Sequence, residues 1–131
     1  MKRFVLSTMV AFIVAVTSNI CAANSFDNDP NYVFVTTAHG TIYLDLRTVA
    51  VQEYSPPYYQ IAGTFINTDG TRITNQQHVV IRYNTDARET YRRNNSGVWV
   101  KDNVNGDTTS PRVNRSFANA LFLAAYGRYF Y

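Results

Sequence analysis

The chain has 131 residues, 46% of them hydrophobic, with ten tyrosines, one cysteine, and twelve basic residues against nine acidic for a net charge of +3. That composition excludes a disordered polar chain and a disulfide-stapled scaffold. The small excess of positive charge gives no case for nucleic acid as a partner.

Met1-Lys2-Arg3 is basic, Phe4 to Val16 is an almost unbroken apolar run, and Thr17-Ser18-Asn19 leads into Ile20-Cys21-Ala22-Ala23. Charge, apolar segment and small-residue exit, in that order, are the pattern of a secretory signal peptide. Residues 1–23 are therefore expected to be a signal, cleaved after Ala22 or Ala23, and the mature protein to be secreted or periplasmic. The apolar run is about 13 residues, too short for the roughly 20 needed to cross a bilayer. Lipidation at Cys21 fits less well, because Ser18 and Ile20 stand where a lipoprotein signal carries Leu and a small residue. Without Lys2 and Arg3, ten basic residues face nine acidic ones, and nine of those ten are Arg. Arg is the planar, weakly hydrated cation that stacks on aromatic rings and grips carboxylates.

Residues 24–31, Asn-Ser-Phe-Asp-Asn-Asp-Pro-Asn, read as a polar, turn-rich leader into one domain over 32–131. Tyr32 to Thr37 and Thr41 to Leu46 are predicted strands joined by a tight turn at Ala38-His39-Gly40. In the second, Ile42, Leu44 and Leu46 fall on one face and Thr41, Tyr43 and Asp45 on the other. Val49 to Tyr54 is a third strand, ended by Ser55-Pro56-Pro57, since a double proline marks a bend or an edge. Tyr58 to Ile66, His78 to Tyr83, Glu89 to Arg93 and Val98 to Lys101 follow, separated by short polar turns. At the C-terminal end the period changes. Val113, Phe117, Ala120, Leu121 and Ala124 repeat at helical spacing, with Ser110 as cap, Pro111 in the first turn and Gly127 as exit. The expected fold is thus α+β: an antiparallel meander of about six strands with one C-terminal helix packed on one face, burying Phe117 and Leu121.

Few residues point to chemistry. His39 and His78 are the only histidines and have no metal-ligand spacing, so no metal or other cofactor is expected. A Ser55, His78 and Asp45 set can be drawn, as in most sequences, but triads are recognised by geometry. Asn105-Gly106-Asp107 has a superficial likeness to a calcium loop without its spaced oxygens or closing Glu. No Ser elbow and no phosphate-cradling glycine loop occurs. The tail Arg128-Tyr129-Phe130-Tyr131 ends on an aromatic, as barrel strands do, but follows a helix; docking of Tyr129 or Phe130 beside that helix is the expectation.

Arg and aromatic residues are the better candidates. A tight turn at Asn84 to Ala87 would set Arg82 opposite Glu89 and Val80 opposite Tyr91. The simplest register of the next turn would set Arg92 against Trp99 as a cation–π pair. The plain reading is that such pairs staple the meander. The functional one is that the hairpin pairs, Arg92 and Trp99 among them, form an aromatic and guanidinium patch for a glycan or host protein, since Tyr, Trp and Arg dominate binding hot spots. Tyr58 and Tyr59, with Tyr54 beside the diproline, are a second candidate contact surface. Tyr54, Tyr58 and Tyr59 are equally suited to closing a corner of the core.

Thr41-Ile42-Tyr43-Leu44-Asp45, Tyr54-Ser55-Pro56-Pro57-Tyr58-Tyr59-Gln60-Ile61 and Ala120-Leu121-Phe122-Leu123-Ala124-Ala125-Tyr126-Gly127 together resemble a group of small secreted bacterial proteins of unassigned function. More distantly, the layout is similar to the surface-adhesin protein E family, in which an antiparallel sheet packs against a helix. The chain departs from that family in lacking its lipoprotein signal, and no binding residue carries over. The resemblance implies an exported bacterial binding or adhesion module, non-enzymatic, with a host or envelope protein or glycan as partner. The alternatives are a periplasmic structural or inhibitor-like protein acting through a sheet edge and, third, an envelope glycan hydrolase.

Overall fold

A computed structural model of the protein describes residues 26–131; the expected signal, both expected cleavage positions and Cys21 lie outside the described residues. Six strands form one sheet in chain order: β1 (Tyr32–Thr37), β2 (Thr41–Ser55), β3 (Tyr58–Thr68), β4 (Ile73–Asn84), β5 (Glu89–Arg93) and β6 (Trp99–Lys101). Every neighbouring pair is antiparallel. One helix among the described residues, α1 (Thr109–Tyr126), follows and packs on one face, giving the expected α+β meander. Among the described residues no helix is long and apolar enough to cross a membrane.

The helix face holds the core. Leu44, Ile61, Phe65, Val79, Ile81 and Tyr83 come from the sheet, and Phe117, Ala118, Leu121 and Phe122 from α1, all buried. Phe65 and Phe117 stack with ring centroids 4.1 Å apart and planes 11° off parallel. Burying each such side chain is worth on the order of 1.5–3 kcal/mol. The helix comes in close because β3 has a glycine beneath it: a Cβ at Gly63 would stand 2.6 Å from Leu121 Cδ2.

Gly63 also faces an irregularity that the sequence pattern hides. The alternation lapses at Arg47-Thr48, which predicts two strands, yet β2 runs unbroken through it. Asp45 pairs with Thr64 and Ala50 with Ala62, so four residues of β2 stand opposite Gly63 alone, an enlarged bulge. Side chains replace the lost ladder. Thr48 Oγ1 donates to the Asp45 carbonyl at 2.6 Å and accepts the Thr64 amide at 2.8 Å. The Arg47 fork grips Asp45 at 2.9 and 3.0 Å.

Residues 26–31, read from sequence as a leader, are part of the fold. Phe26 lies against Tyr32 and Tyr43, the Tyr43 hydroxyl donates to Asp27 at 2.6 Å, and the Leu46 amide donates to the Asn31 carbonyl. Tyr43, on the face opposite the helix, is consequently buried instead of solvent-facing.

The helix begins one residue before the predicted cap. Thr108 is the cap position, extended and without a side-chain cap bond, and Ser110 is helical. Pro111 is tolerated in the first turn because amides there have no intrahelical acceptor. The exit is as read: Gly127 takes φ 74° and its amide donates to the Leu123 carbonyl at 2.8 Å. Beyond it Phe130 packs on Tyr83 and Phe122, while Tyr129 stays exposed.

Candidate binding face

Strand alternation sorts the candidates onto two faces. On the face opposite α1, Tyr58 pairs with Asn84 and Gln60 with Arg82; Arg82 pairs in turn with Tyr91, and Arg93 with Trp99. These side chains therefore form one contiguous surface across β3 to β6. At its centre the Arg82 guanidinium carbon lies 4.3 Å from the Trp99 ring centroid, and that of Arg93 4.8 Å. Arg82 Nη2 donates to Gln60 Oε1 at 3.3 Å, and Gln60 Nε2 to Gln52 Oε1 at 2.7 Å.

Of the acidic groups on this face Glu89 is already matched, while Glu53, opposite Gln60 on β2, has no basic side chain within 4.0 Å among the described residues. Glu89 accepts from Lys101 and from the Tyr91 hydroxyl, and the Lys101 ammonium together with that hydroxyl holds the Glu89 carboxyl below its ordinary range. Tyr91 is pushed up by its loss of solvent and by Glu89. Among the described residues neither Arg82 nor Arg93 has a carboxylate within 4.0 Å. Arg82 Nε is buried with no acceptor.

Two of the four sequence candidates lie here. Tyr58 is half exposed, and Trp99 is partly exposed at the centre. The other two face the helix. Tyr59 is buried against Phe122 and Tyr126, with Tyr54 edge-on to it, so the diproline turn splits its tyrosines between faces. The Pro56-Pro57 bond within that turn is cis.

Arg92 faces the helix because it pairs with Ile81 on β4, whereas Trp99 lies on the opposite face because the β5–β6 pairing is one residue off the simplest register. Arg92 opposes Val100, and Arg93 opposes Trp99. A slip of one residue changes the face of every side chain. The cause is the Asn94–Val98 turn, where Asn94 Oδ1 accepts the Ser96 and Val98 amides. Arg92 instead stacks on Phe117 at 5.1 Å and pairs with Asp102 at 3.3 Å. Asp102 also accepts from Thr90, whose Oγ1 lies 2.8 Å from the Tyr131 hydroxyl. Burial pushes the Asp102 carboxyl up, opposed by the Arg92 charge.

The β4–β5 turn is longer than expected as well: Asn84 opposes Glu89, so Arg82 meets Tyr91 and not Glu89. That slip of two residues keeps Arg82 on its predicted face. Arg93 and Gln60 are the site residues that the sequence pattern does not bring forward, Arg82 and Tyr91 being expected there with other partners, and the signal for Arg93 is the capacity of Asn94 to bond its own turn.

Other drawn constellations are not assembled. Ser55 pairs with Tyr58 and His78 with Thr64, about six residues or 20 Å apart along the sheet. His78 Nδ1 instead lies 3.3 Å from Thr64 Oγ1. In the Asn105-Gly106-Asp107 loop, Arg115 donates to the Val104 and Gly106 carbonyls, which places a guanidinium at its oxygens. Among the described residues no group of three or more His, Cys, Asp or Glu is placed to hold a metal. On the helix side of the sheet a groove of about 400 Å³ runs between β1 and α1, lined by Val33, Val35, Leu46, Ala120, Leu123 and Tyr129 among others.

No protein-family model matches the chain, and no curated protein or solved structure matches it. The reading of function thus starts from this surface.

Proposed function

We propose that the protein is an exported, non-enzymatic binding module that contacts an envelope or host ligand through the sheet face opposite α1. The observation that carries this reading is the pair of guanidiniums, Arg82 and Arg93, held over the partly exposed Trp99 ring with no carboxylate of their own among the described residues. A pair that served only to staple the sheet would be satisfied inside the protein. These forks keep most of their donors free, on rigid strands, beside an aromatic ring and side-chain amides. That is the composition of a recognition hot spot.

The test is capture from envelope and host-matrix extracts by immobilised wild-type protein and by Trp99→Ala. Capture by the first and not the second supports the reading; equal capture, or none at micromolar protein, overturns it. Export is tested separately by sequencing the amino terminus of the protein recovered outside the cytoplasm, with Ala23 or Asn24 expected first.

One observation favours a second reading, action on a partner protein through the sheet edge. β1 is an edge strand of six residues, Tyr-Val-Phe-Val-Thr-Thr, without a charge. The opposite edge, β6, has only three residues and includes a Lys. Edges that avoid pairing are short, charged or bulged, and β1 has only a bulge between Phe34 and Thr36. Its flanking groove would receive alternate side chains of an added strand. Phe34→Lys abolishes capture under this reading and leaves it intact under the first.

A further inference from the structure

Resting on the binding reading, we infer that this face takes an acidic polysaccharide, a chain carrying uronate carboxylates or sulfate groups. Three features select that class. First, the face has unspent positive charge at Arg82 and Arg93, with one unpaired carboxylate among the described residues, Glu53, at its β2 margin. Among the described residues Arg82 makes one side-chain hydrogen bond, to Gln60, and Arg93 none, while Glu89 is occupied by Lys101 and Tyr91. A guanidinium presents its donors as a planar fork that matches a carboxylate or sulfate two bonds at a time.

Second, the forks are held in place. The two guanidinium carbons lie 4.3 and 4.8 Å from the Trp99 ring centroid, a contact that restricts both side chains and leaves less rotamer freedom to be lost on binding. Third, the surroundings suit hydroxyl groups. Gln52, Gln60, Asn84 and the Tyr91 hydroxyl supply mixed donors and acceptors, and Tyr58, half exposed, offers a ring at the β3 end. From β3 to β6 the strip is about 14 Å wide at ordinary strand spacing, enough for an extended chain to lie across it. A protein partner would need an apolar centre on the order of the buried core of a standard interface; the centre of this face is instead cationic and amide-rich. That separates the saccharide from an acidic peptide.

Trp99 is the only tryptophan in the sequence, so its emission reports this surface alone. The purified protein is titrated, at low salt, with polygalacturonate, heparin, dextran and poly-L-glutamate while Trp99 fluorescence is followed. The expected result is a saturable change with polygalacturonate or heparin, and none with dextran. Because both polymers carry uronate carboxylates and heparin alone carries sulfate, a response to heparin only assigns the contact to sulfate, and a response to polygalacturonate shows that carboxylates suffice. Arg93→Gln, at an exposed position, weakens binding about tenfold, and Arg93→Lys, which keeps the charge but not the fork, falls between. Added salt weakens binding further.

An equal response to dextran overturns the acidic class while leaving the binding reading standing. Poly-L-glutamate binding as tightly as the polyuronate overturns the saccharide. Silence with all four overturns the inference, and the extract capture by wild type against Trp99→Ala then decides the broader reading by itself. Retention of the wild-type melting temperature by Arg93→Gln shows that a lost response is not a lost fold.

Discussion

Gly63 on β3 and Leu121 on α1 define the closest approach of helix to sheet: a Cβ added to the glycine would lie 2.6 Å from Leu121 Cδ2 and 3.0 Å from Leu44 Cδ1. Both leucines are fully buried, so neither can swing aside without moving its neighbours. Gly63→Ala is therefore expected to destabilise the protein by about 1–3 kcal/mol through overpacking. Urea denaturation measures it. The double variant with Leu121→Ala should cost less than the sum of the two singles, because the smaller side chain makes room; strict additivity would mean that the clash is absorbed elsewhere.

Tyr83 is the largest fully buried side chain, and its hydroxyl donates to the Ala118 carbonyl at 2.7 Å. This bond ties β4 to the middle of α1 across 35 residues of sequence. Tyr83→Phe keeps the ring packing on Phe122 and Phe130 and removes only the hydroxyl. A loss of about 1 kcal/mol is expected, with an unchanged denaturant slope. No loss at all would assign the helix docking to packing alone.

At the other face the Tyr43 hydroxyl is pushed up to about 12 by burial and by its hydrogen bond to Asp27. The folded protein thus holds this proton more tightly than the unfolded chain, whose tyrosine releases it near 10.0. The stability that this supplies is complete below pH 10 and is lost as pH rises towards 12. Tyr43→Phe should flatten part of the alkaline fall in denaturation midpoint, though not all of it, since burial also raises Tyr83 and Tyr131. An alkaline limb unchanged in the variant would mean that the Asp27 contact does not persist in solution.

Asp102 behaves in the opposite sense to the other perturbed carboxylates. Its proton is held more tightly in the fold, through burial and in spite of Arg92 and Thr90, whereas Asp45, Asp69 and Glu89 are all lowered. The linked stability from Asp102 is present below the ordinary value of 3.8 and is lost as pH rises through its raised folded value. The stability advantage of wild type over Asp102→Asn is therefore expected to be greatest in acid and to narrow towards neutrality. If it widens instead, the attraction of Arg92 outweighs the burial of the carboxyl. Denaturation midpoints of both proteins across the acid range provide the comparison.

The helix and the strand sequence were legible because they rest on period and punctuation. Phe117 and Leu121 fall on one helical stripe, Gly127 supplies the left-handed exit, and short polar turns separate the alternating runs. What escaped was set by side chains acting as backbone. Thr48 and Arg47 carry β2 through its bulge, so a lapse in alternation was read as a break. Asn84 and Asn94 accept amides within their own turns, which lengthened both hairpin loops. At the first turn the slip of two residues preserved faces. At the second, a slip of one turned Trp99 away from the core side, where Arg92 lies, and brought it beside Arg93 on the outer face. The candidate face was thus half visible: residue types and Trp99 could be read, but the identity of the second arginine hung on one asparagine side chain.

Each strand of the sheet pairs only with its neighbours in sequence, and this bears on how the molecule can be assembled. A chain lengthening from its N-terminus can add β2 to β1, β3 to β2 and so on, every step closing a short loop, with no strand waiting for a distant partner. The exception is the last element. Until α1 arrives, Leu44, Ile61, Phe65 and Ile81 present an uncovered apolar sheet to water. The interval between the finished sheet and the docked helix is therefore when the protein is most open to unwanted association, and its length depends on residues 102–108 rather than on any strand.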